Sequence, residues 1–120
     1  MEMDAYPLII RETAKFTKEF DKLAGEKERQ ELYRYLAQAP AQGDVIQGSG
    51  GVRKLRWKRP GMGKRGGMRV IYYYFDRHGF LSLLTAYAKN EKEDLSSKEV
   101  DMMRDIVEMI RRKIGGETHG

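Results

Sequence analysis

Two strand patterns joined by a short turn, in residues 68–89, constrain the fold more than any other stretch of the chain. "MRVIYYYF" (68–75) is rich in β-branched and aromatic residues, which suit a pleated, partly buried surface. "DRHG" (76–79) begins with Asp and ends with Gly, as turns commonly do. "FLSLLTAYAK" (80–89) is apolar enough for a central strand. These stretches predict neighbouring antiparallel strands.

A further strand pattern precedes them in "VRKLRWKR" (52–59). Period-two spacing places Lys54, Arg56 and Lys58 on one side of this strand, because successive side chains point to opposite faces. Short loops join the three strands, which predicts an antiparallel meander with a cationic side.

Helical patterns flank the meander. Apolar residues spaced four and three apart predict a helix between Thr13 and Gly25, and "EKERQELYRYLAQAP" (26–40) predicts a second, so that the two form an αα-hairpin. "YPLII" (6–10) is a candidate first strand.

The last helix has the clearest boundaries. Ser96 and Glu99 have the spacing of a capping box, and an apolar stripe then continues to Gly115. The element order β-α-α-β-β-β-α predicts an α+β fold, in which a small, mainly antiparallel sheet packs with an N-terminal αα-hairpin and a C-terminal helix. We expect a single domain over residues 1–115 and a flexible tail over 116–120.

Positive charge is concentrated in the middle of the chain. Residues 45–80 hold nine Lys and Arg against one Asp, whereas the segments on either side are slightly acidic. Charges that merely solvate a surface would not segregate in this way, so the pattern favours a face that binds a polyanion. The acidic start has a short apolar run, and we expect neither a signal peptide nor a membrane span, in keeping with a cytoplasmic protein.

The glycine-rich segment does not fit a nucleotide-binding loop. Gly61, Gly63 and Gly66 match the spacing G-x-G-x-x-G, but a second strand pattern follows them where a dinucleotide fold requires a helix. Lys64 is followed by Arg65 instead of Ser or Thr, which also excludes a phosphate loop of the nucleotide-hydrolase type. We therefore expect no nucleotide cofactor.

Metal and thiol chemistry are also disfavoured. The chain has no cysteine, and its two histidines, His78 and His119, lie far apart, so a structural zinc site is excluded and no metal is expected. Glu91, Glu93 and Asp94 lie together before the last helix, where solvated or capping acids are the ordinary interpretation and a catalytic carboxylate is the less favoured one.

Cations together with aromatic residues are typical of nucleic-acid contact. Lys and Arg neutralise phosphates, and aromatic rings stack on unpaired bases. The aromatic candidates are Trp57, Tyr72, Tyr73, Tyr74 and Tyr87. We expect Trp57 and at least one of Tyr72–Tyr74 to belong to the core instead. Burying the cations would be costly without acidic partners, which the segment lacks.

The pattern resembles a known family. Over residues 43–96, Gly-x-Arg-Lys-x-Arg, Gly-x-Gly-Lys-x-Gly-Gly-x-Arg and Tyr-x-Lys-Asn-Glu occur in the order and spacing of the HigB branch of the RelE/ParE toxin superfamily. The resemblance implies a toxin of a bacterial type II toxin–antitoxin pair with a microbial RNase fold. It also implies a ribosome-dependent endonuclease that cuts mRNA in the A site, through attack of the ribose 2′-hydroxyl and without a metal.

The resemblance also implies site residues. The candidate catalytic residues are Lys54, Arg56, Arg69, Tyr87 and Lys89. The candidate RNA-binding residues are Arg53, Lys58, Arg59, Lys64, Arg65 and Lys92. Ser96 stands where the RelE branch has a tyrosine, which leaves the general base open, with Glu91 and Asp94 as alternatives.

The implied partners are a cognate antitoxin, expected to be a helix-turn-helix protein of the HigA kind, and the ribosome with its 16S rRNA and A-site message. Two other functions stay open at this point. One is a non-enzymatic ParE-like toxin that binds DNA gyrase, although that branch typically lacks such a basic strand. The other is a nucleic-acid-binding module that binds phosphates without cleaving the nucleic acid.

Overall fold

The computed structural model describes residues 8–60 and 67–115. The elements in chain order are β1 (Ile9–Glu12), α1 (Ala14–Leu23), α2 (Glu26–Gln38), β2 (Asp44–Val45), β3 (Val52–Trp57), β4 (Met68–Phe75), a 3-10 turn (Asp76–His78), β5 (Phe80–Ala88) and α3 (Ser97–Gly115). The α+β class, the αα-hairpin and the C-terminal helix are confirmed. The predicted tail, residues 116–120, lies outside the described residues.

The five strands form one sheet in the order β1-β5-β4-β3-β2. β3, β4 and β5 are the predicted antiparallel meander, and β1 adds to β5 in parallel, with Ile9 opposite Phe80. A parallel neighbour requires a long connection, and here the αα-hairpin and the rest of the sheet lie between β1 and β5 in sequence.

Each face of the sheet has its own apolar core. On one face, α1 and α2 bury Phe16, Phe20, Leu32 and Leu36 against side chains of the central strands. On the other face, α3 packs along the sheet through Met103 and Val107, which are grouped with Val52, Ile71, Tyr73, Leu84 and Tyr87. The sheet is thus sandwiched between the N-terminal helices on one face and α3 on the other.

Side-chain caps fix where the helices begin. The hydroxyl of Thr13 accepts a hydrogen bond from the backbone N–H of Phe16 and donates one to the carbonyl of Leu84, joining α1 to β5. The predicted capping box is confirmed at α3: Ser96 N–H donates to the Glu99 carboxylate at 2.8 Å, and Glu99 N–H donates to the Ser96 hydroxyl at 3.1 Å.

The structure departs from the predicted elements in three places. β1 (Ile9–Glu12) leaves out Leu8 and extends two residues beyond the predicted strand, because its register is set by pairing with β5, and Tyr6 and Pro7 lie outside the described residues. β2, with only two residues, was not predicted, since so short a strand has no detectable period. β3 ends at Trp57, so the prediction that Lys58 and Arg59 belong to the strand is wrong.

A polar cluster ties β1 to both N-terminal helices. The Glu12 carboxylate accepts hydrogen bonds from Arg29 Nε and from the Tyr33 hydroxyl, each at 2.8 Å, and from the Thr17 hydroxyl at 2.6 Å. Burial opposes ionisation of Glu12, but the bonds from Arg29, Thr17 and Tyr33 outweigh it and hold the Glu12 pKa below its ordinary value. The carboxylate therefore stabilises the fold in its charged form.

Replacing Glu12 with Gln is expected to lower the free energy of unfolding by about 2–3 kcal/mol at neutral pH, because Arg29 loses its buried partner. A group whose pKa is depressed on folding contributes stability above its unfolded pKa and loses it as pH falls through the folded pKa. Urea denaturation of both proteins should show the difference shrinking below the ordinary Glu pKa of 4.5. A difference that stays constant through that range would contradict this role.

Candidate nucleic-acid interface and active site

Strand register brings the predicted catalytic side chains into one row across the sheet. Arg56 of β3 is paired with Arg69 of β4, and Arg69 is paired with Tyr87 of β5. Lys54 lies two residues before Arg56 in β3, so its side chain projects from the same face. We call Lys54, Arg56, Arg69 and Tyr87 the basic row. It lies on the α3 face of the sheet.

Arg69 is the unusual member of the basic row. The residue is only 7% exposed, yet the guanidinium makes no ion pair with any carboxylate in the described part of the chain. The hydrogen bond found for it there is a long one, 3.4 Å, to the neighbouring carbonyl of Met68. A nearly buried cation without a direct ion pair is costly, which makes Arg69 a candidate contact for an anion.

Lys54 is paired with an acid from the loop between β5 and α3. Its Nζ donates to Asp94 Oδ1 at 2.5 Å, with the Lys54 side chain 29% exposed and that of Asp94 67% exposed. The hydrogen bond and the charge of Lys54, with a contribution from Arg69, hold the Asp94 pKa below its ordinary value. Asp94 is therefore an anion already in place beside the basic row.

Tyr87 is largely buried and keeps its proton. Its hydroxyl donates to the Glu93 carbonyl at 3.2 Å, and Lys92 lies over its ring at 4.9 Å while bonding to Glu99 at 2.7 Å. Burial first, and then the nearby Asp94, raise the Tyr87 pKa to about 12. At neutral pH the phenol can donate a proton or a hydrogen bond, but it cannot act as a general base.

The remaining predicted residues are only partly gathered at the basic row. Lys89 lies in the turn directly after β5 and is half-buried. Arg53 points to the opposite face, where it donates to the carbonyls of Ala41 at 3.0 Å and Gly43 at 2.7 Å. RNA contact by Lys89 and Arg53 stays a prediction. In the structure, the Arg53 guanidinium bonds to the two backbone carbonyls instead of facing the basic row.

The basic loop after β3 is only partly described. Lys58 is exposed just beyond the strand, and Arg59 is half-buried. Lys64 and Arg65 lie outside the described residues.

One side of the cleft that contains the cations of the basic row was not predicted from the sequence. An open cleft of about 480 Å³ contains Lys54, Arg56 and Arg69 together with Glu93 and Asp94. Its other side is formed by Tyr35, Gln42, Gly43 and Asp44. These residues come from α2, from β2 and from the loop between them, and the pairing of β2 with β3 helps to bring them to the site, as the Asp44–Lys54 register shows.

The described chain shows neither a metal-binding cluster nor a membrane-spanning helix. Within residues 8–60 and 67–115, no group of three or more carboxylate or imidazole side chains is arranged to hold a metal ion. No helix of the described chain is both long enough and apolar enough to cross a bilayer.

The fold has known structural relatives. A mutant of Escherichia coli toxin RelE in the free state superimposes with a TM-score of 0.54 at 15% identity, covering 83% of this chain and 96% of that one. The crystal structure of the isolated E. coli RelE toxin, in its P21 form, gives a TM-score of 0.48 at 16% identity, covering 82% and 98%. The first of these shows that the two chains share the RelE fold.

The sequence itself places the chain in a family. Residues 14–114 match the family model described as the RelE toxin of the RelE/RelB toxin–antitoxin system. Because the match covers most of the chain, the protein belongs to the RelE toxin family. It is the toxin member of a toxin–antitoxin pair, and a cognate antitoxin is its partner.

Proposed function

We propose that this toxin is a ribosome-dependent endoribonuclease of the HigB branch that cuts translated mRNA in the A site. The observation that carries the proposal is Arg69, a nearly buried guanidinium without an acidic partner in the described chain, aligned with Arg56. A phosphodiester in the cleft would supply the missing anion. Binding of RNA would then give Arg69 the direct ion pair that it lacks in the described part of the chain.

The basic row suits the charge that develops during phosphodiester cleavage. When the ribose 2′-hydroxyl attacks the adjacent phosphorus, negative charge accumulates on the non-bridging oxygens of a phosphorane-like transition state. Arg69 and Arg56 are placed to stabilise that charge, and the burial of Arg69 strengthens its effect. The products are a 2′,3′-cyclic phosphate and a fragment with a 5′-hydroxyl.

Two proton transfers accompany this reaction. The 2′-hydroxyl must lose a proton, and the leaving 5′-oxygen must gain one. Of the two acids left open as the base, Asp94 lines the cleft and is bonded to Lys54, whereas Glu91 lines other parts of the surface, so we assign the base role to Asp94. Phosphate binding would take Lys54 from Asp94, which removes the main cause of its low pKa and restores its basicity.

The proposal includes the remaining partners. The antitoxin is proposed to be a helix-turn-helix protein of the HigA kind, and the ribosome contributes 16S rRNA and the A-site message. We propose a cytoplasmic location, where translating ribosomes are found. Lys58 and Lys89 remain proposed RNA contacts because both lie close in sequence to the ends of the strands that carry the basic row.

Induction of the toxin in bacteria without antitoxin tests this function against gyrase poisoning. We expect amino-acid incorporation to stop while thymidine incorporation continues and chromosomal DNA stays intact. The double variant Lys54→Ala/Arg56→Ala should not arrest translation, because both partly exposed cations of the row are removed without opening the core. Broken DNA with continued protein synthesis would instead indicate a ParE-like toxin.

A further inference from the structure

A second cationic cleft lies at the other end of the sheet from the basic row. It has a volume of about 480 Å³ and is lined by Tyr73, Tyr74, Phe75, Asp76, Arg77, Arg111 and Arg112. Arg77 comes from the 3-10 turn after β4, and the other two arginines come from the last turns of α3. We call this site the arginine cleft.

The charges of the three arginines in this cleft are not neutralised by ion pairs within the described residues. All three are exposed, and within residues 8–60 and 67–115 no salt bridge joins any of them to a carboxylate. Asp76 lines the cleft and Glu108 lies one turn earlier on α3, so a net positive charge remains. The helix dipole explains cations at the end of α3, but it does not explain why Arg77 of another element converges with them.

Aromatic side chains border the same cleft. Tyr73 and Phe75 lie with their ring centroids 5.9 Å apart, and Phe75 contacts the His78 ring edge-on at 4.6 Å. The charge of Arg111 acts on the Tyr73 phenol, opposing the rise of its pKa through burial, so guanidinium and ring are close. Tyr73 is only 6% exposed, whereas Phe75 is partly exposed and offers a ring edge at the cleft. Guanidinium groups beside a partly exposed aromatic ring are the combination that holds a nucleotide by its phosphate and its base.

The position of the arginine cleft relates it to the basic row. Phe75 and Arg69 lie on the same face of β4, six residues apart, which corresponds to roughly 20 Å along a strand. The helix α3 connects the two sites, with its first turn beside the basic row and its last turn at the arginine cleft. A protein that cuts RNA at one end of this face has a second cationic site on the same face.

We propose that the arginine cleft is a second RNA-binding site, which holds phosphates and a base of an RNA segment away from the scissile bond. This inference builds on the proposed function, since it assigns the toxin a further contact with the message or with ribosomal RNA. It is independent of catalysis, because none of the residues of the arginine cleft belongs to the basic row.

The test uses the full-length protein and a mixed-sequence RNA of about twelve nucleotides, 2′-O-methylated so that it cannot be cut. Fluorescence anisotropy across a series of salt concentrations gives the Kd and its salt slope for wild type and Arg111→Gln/Arg112→Gln. Losing two phosphate contacts should raise the Kd about tenfold and reduce the slope by about 1.4, at roughly 0.7 per phosphate for single strands.

A matched control removes the same charge elsewhere. Lys27 and Arg34 are exposed on α2, across the sheet from α3, and Lys27→Gln/Arg34→Gln also lowers the net charge by two. We expect this control to change the Kd less than twofold. The variant Arg111→Lys/Arg112→Lys keeps the charge and should retain most of the salt slope, which separates charge from any effect on folding of α3.

Three results would overturn the inference: no RNA binding by wild type, an unchanged Kd and slope in Arg111→Gln/Arg112→Gln, or an equal loss in the α2 control. Reduced antitoxin affinity with normal RNA affinity would also overturn it. If Arg111→Gln/Arg112→Gln binds vacant ribosomes more weakly than wild type does, this would support rRNA as the RNA held in the arginine cleft. If it binds more weakly only when message is present, this would support mRNA. If wild type binds RNA through the cleft but leaves messages uncut, only the proposed function fails.

Discussion

Replacing Arg69 with Met is expected to slow single-turnover cleavage of A-site mRNA by about 10²–10³-fold, with little loss of folding stability. The buried guanidinium has no ion-pair partner in the described chain, so a methionine of similar volume removes a desolvated charge without leaving an acid unpaired. The free energy of unfolding should therefore stay the same or rise by about 1 kcal/mol. Stability comes from urea denaturation, and the rate from programmed ribosomes with excess toxin.

The same substitution at Arg104 serves as its control. Arg104 lies on α3 and donates to the Gly48 carbonyl at 2.8 Å and to Asp101 at 2.9 Å, away from the basic row. Arg104→Met should lose a few tenths of a kcal/mol of stability and cleave at the wild-type rate. If Arg69→Met proved strongly destabilising while its cleavage per folded molecule stayed normal, Arg69 would be a structural residue and its assignment to phosphate binding would be wrong.

Replacing Asp94 with Asn is expected to slow cleavage by about 10²–10⁴-fold while the affinity for uncut RNA stays the same or increases. The amide cannot accept the 2′-hydroxyl proton, but it also frees Lys54 from a competing anion. The loss of the base lowers the cleavage rate, whereas the release of Lys54 favours RNA binding. Measuring the single-turnover rate and the Kd separately therefore distinguishes a general base from a residue that only competes with RNA for Lys54.

Glu91→Gln makes the same chemical change on the same loop. Glu91 is the other carboxylate considered for the base, but it lies outside the cleft that holds Lys54 and Arg69. We expect its rate to differ from wild type by less than threefold. Faster cleavage by Asp94→Asn would make Asp94 an inhibitory contact, and a rate loss confined to Glu91→Gln would transfer the base role to Glu91.

The elements that the sequence predicted well are those with the strongest local pattern. The bounds of β4 match the prediction, and the cap at Ser96 is present, because alternation and capping chemistry depend on neighbouring residues. β1 and β2 depend on distant partners instead. β1 is positioned by pairing with β5, and β2 by pairing with β3, so the apolar run at 6–10 ended the first strand two residues early and the second strand was missed.

The cationic face of the site was predictable, and the environment of its side chains was not. Period two correctly placed Lys54 and Arg56 on one side of β3, opposite Arg53. The burial of Arg69 and Tyr87 depends on how α3 and its preceding loop cover the sheet, which no local pattern encodes. The pairing of Lys54 with Asp94 joins residues 40 positions apart and had no signal in the sequence.

Mapping mRNA 5′ ends on ribosomes after toxin induction tests the central claim most directly. The account predicts cuts at a fixed position within A-site codons, each leaving a 5′-hydroxyl on the downstream fragment. These cuts should vanish in Lys54→Ala/Arg69→Ala, which removes two cations of the basic row. Growth arrest by wild-type toxin with ribosome-bound messages intact would contradict the account.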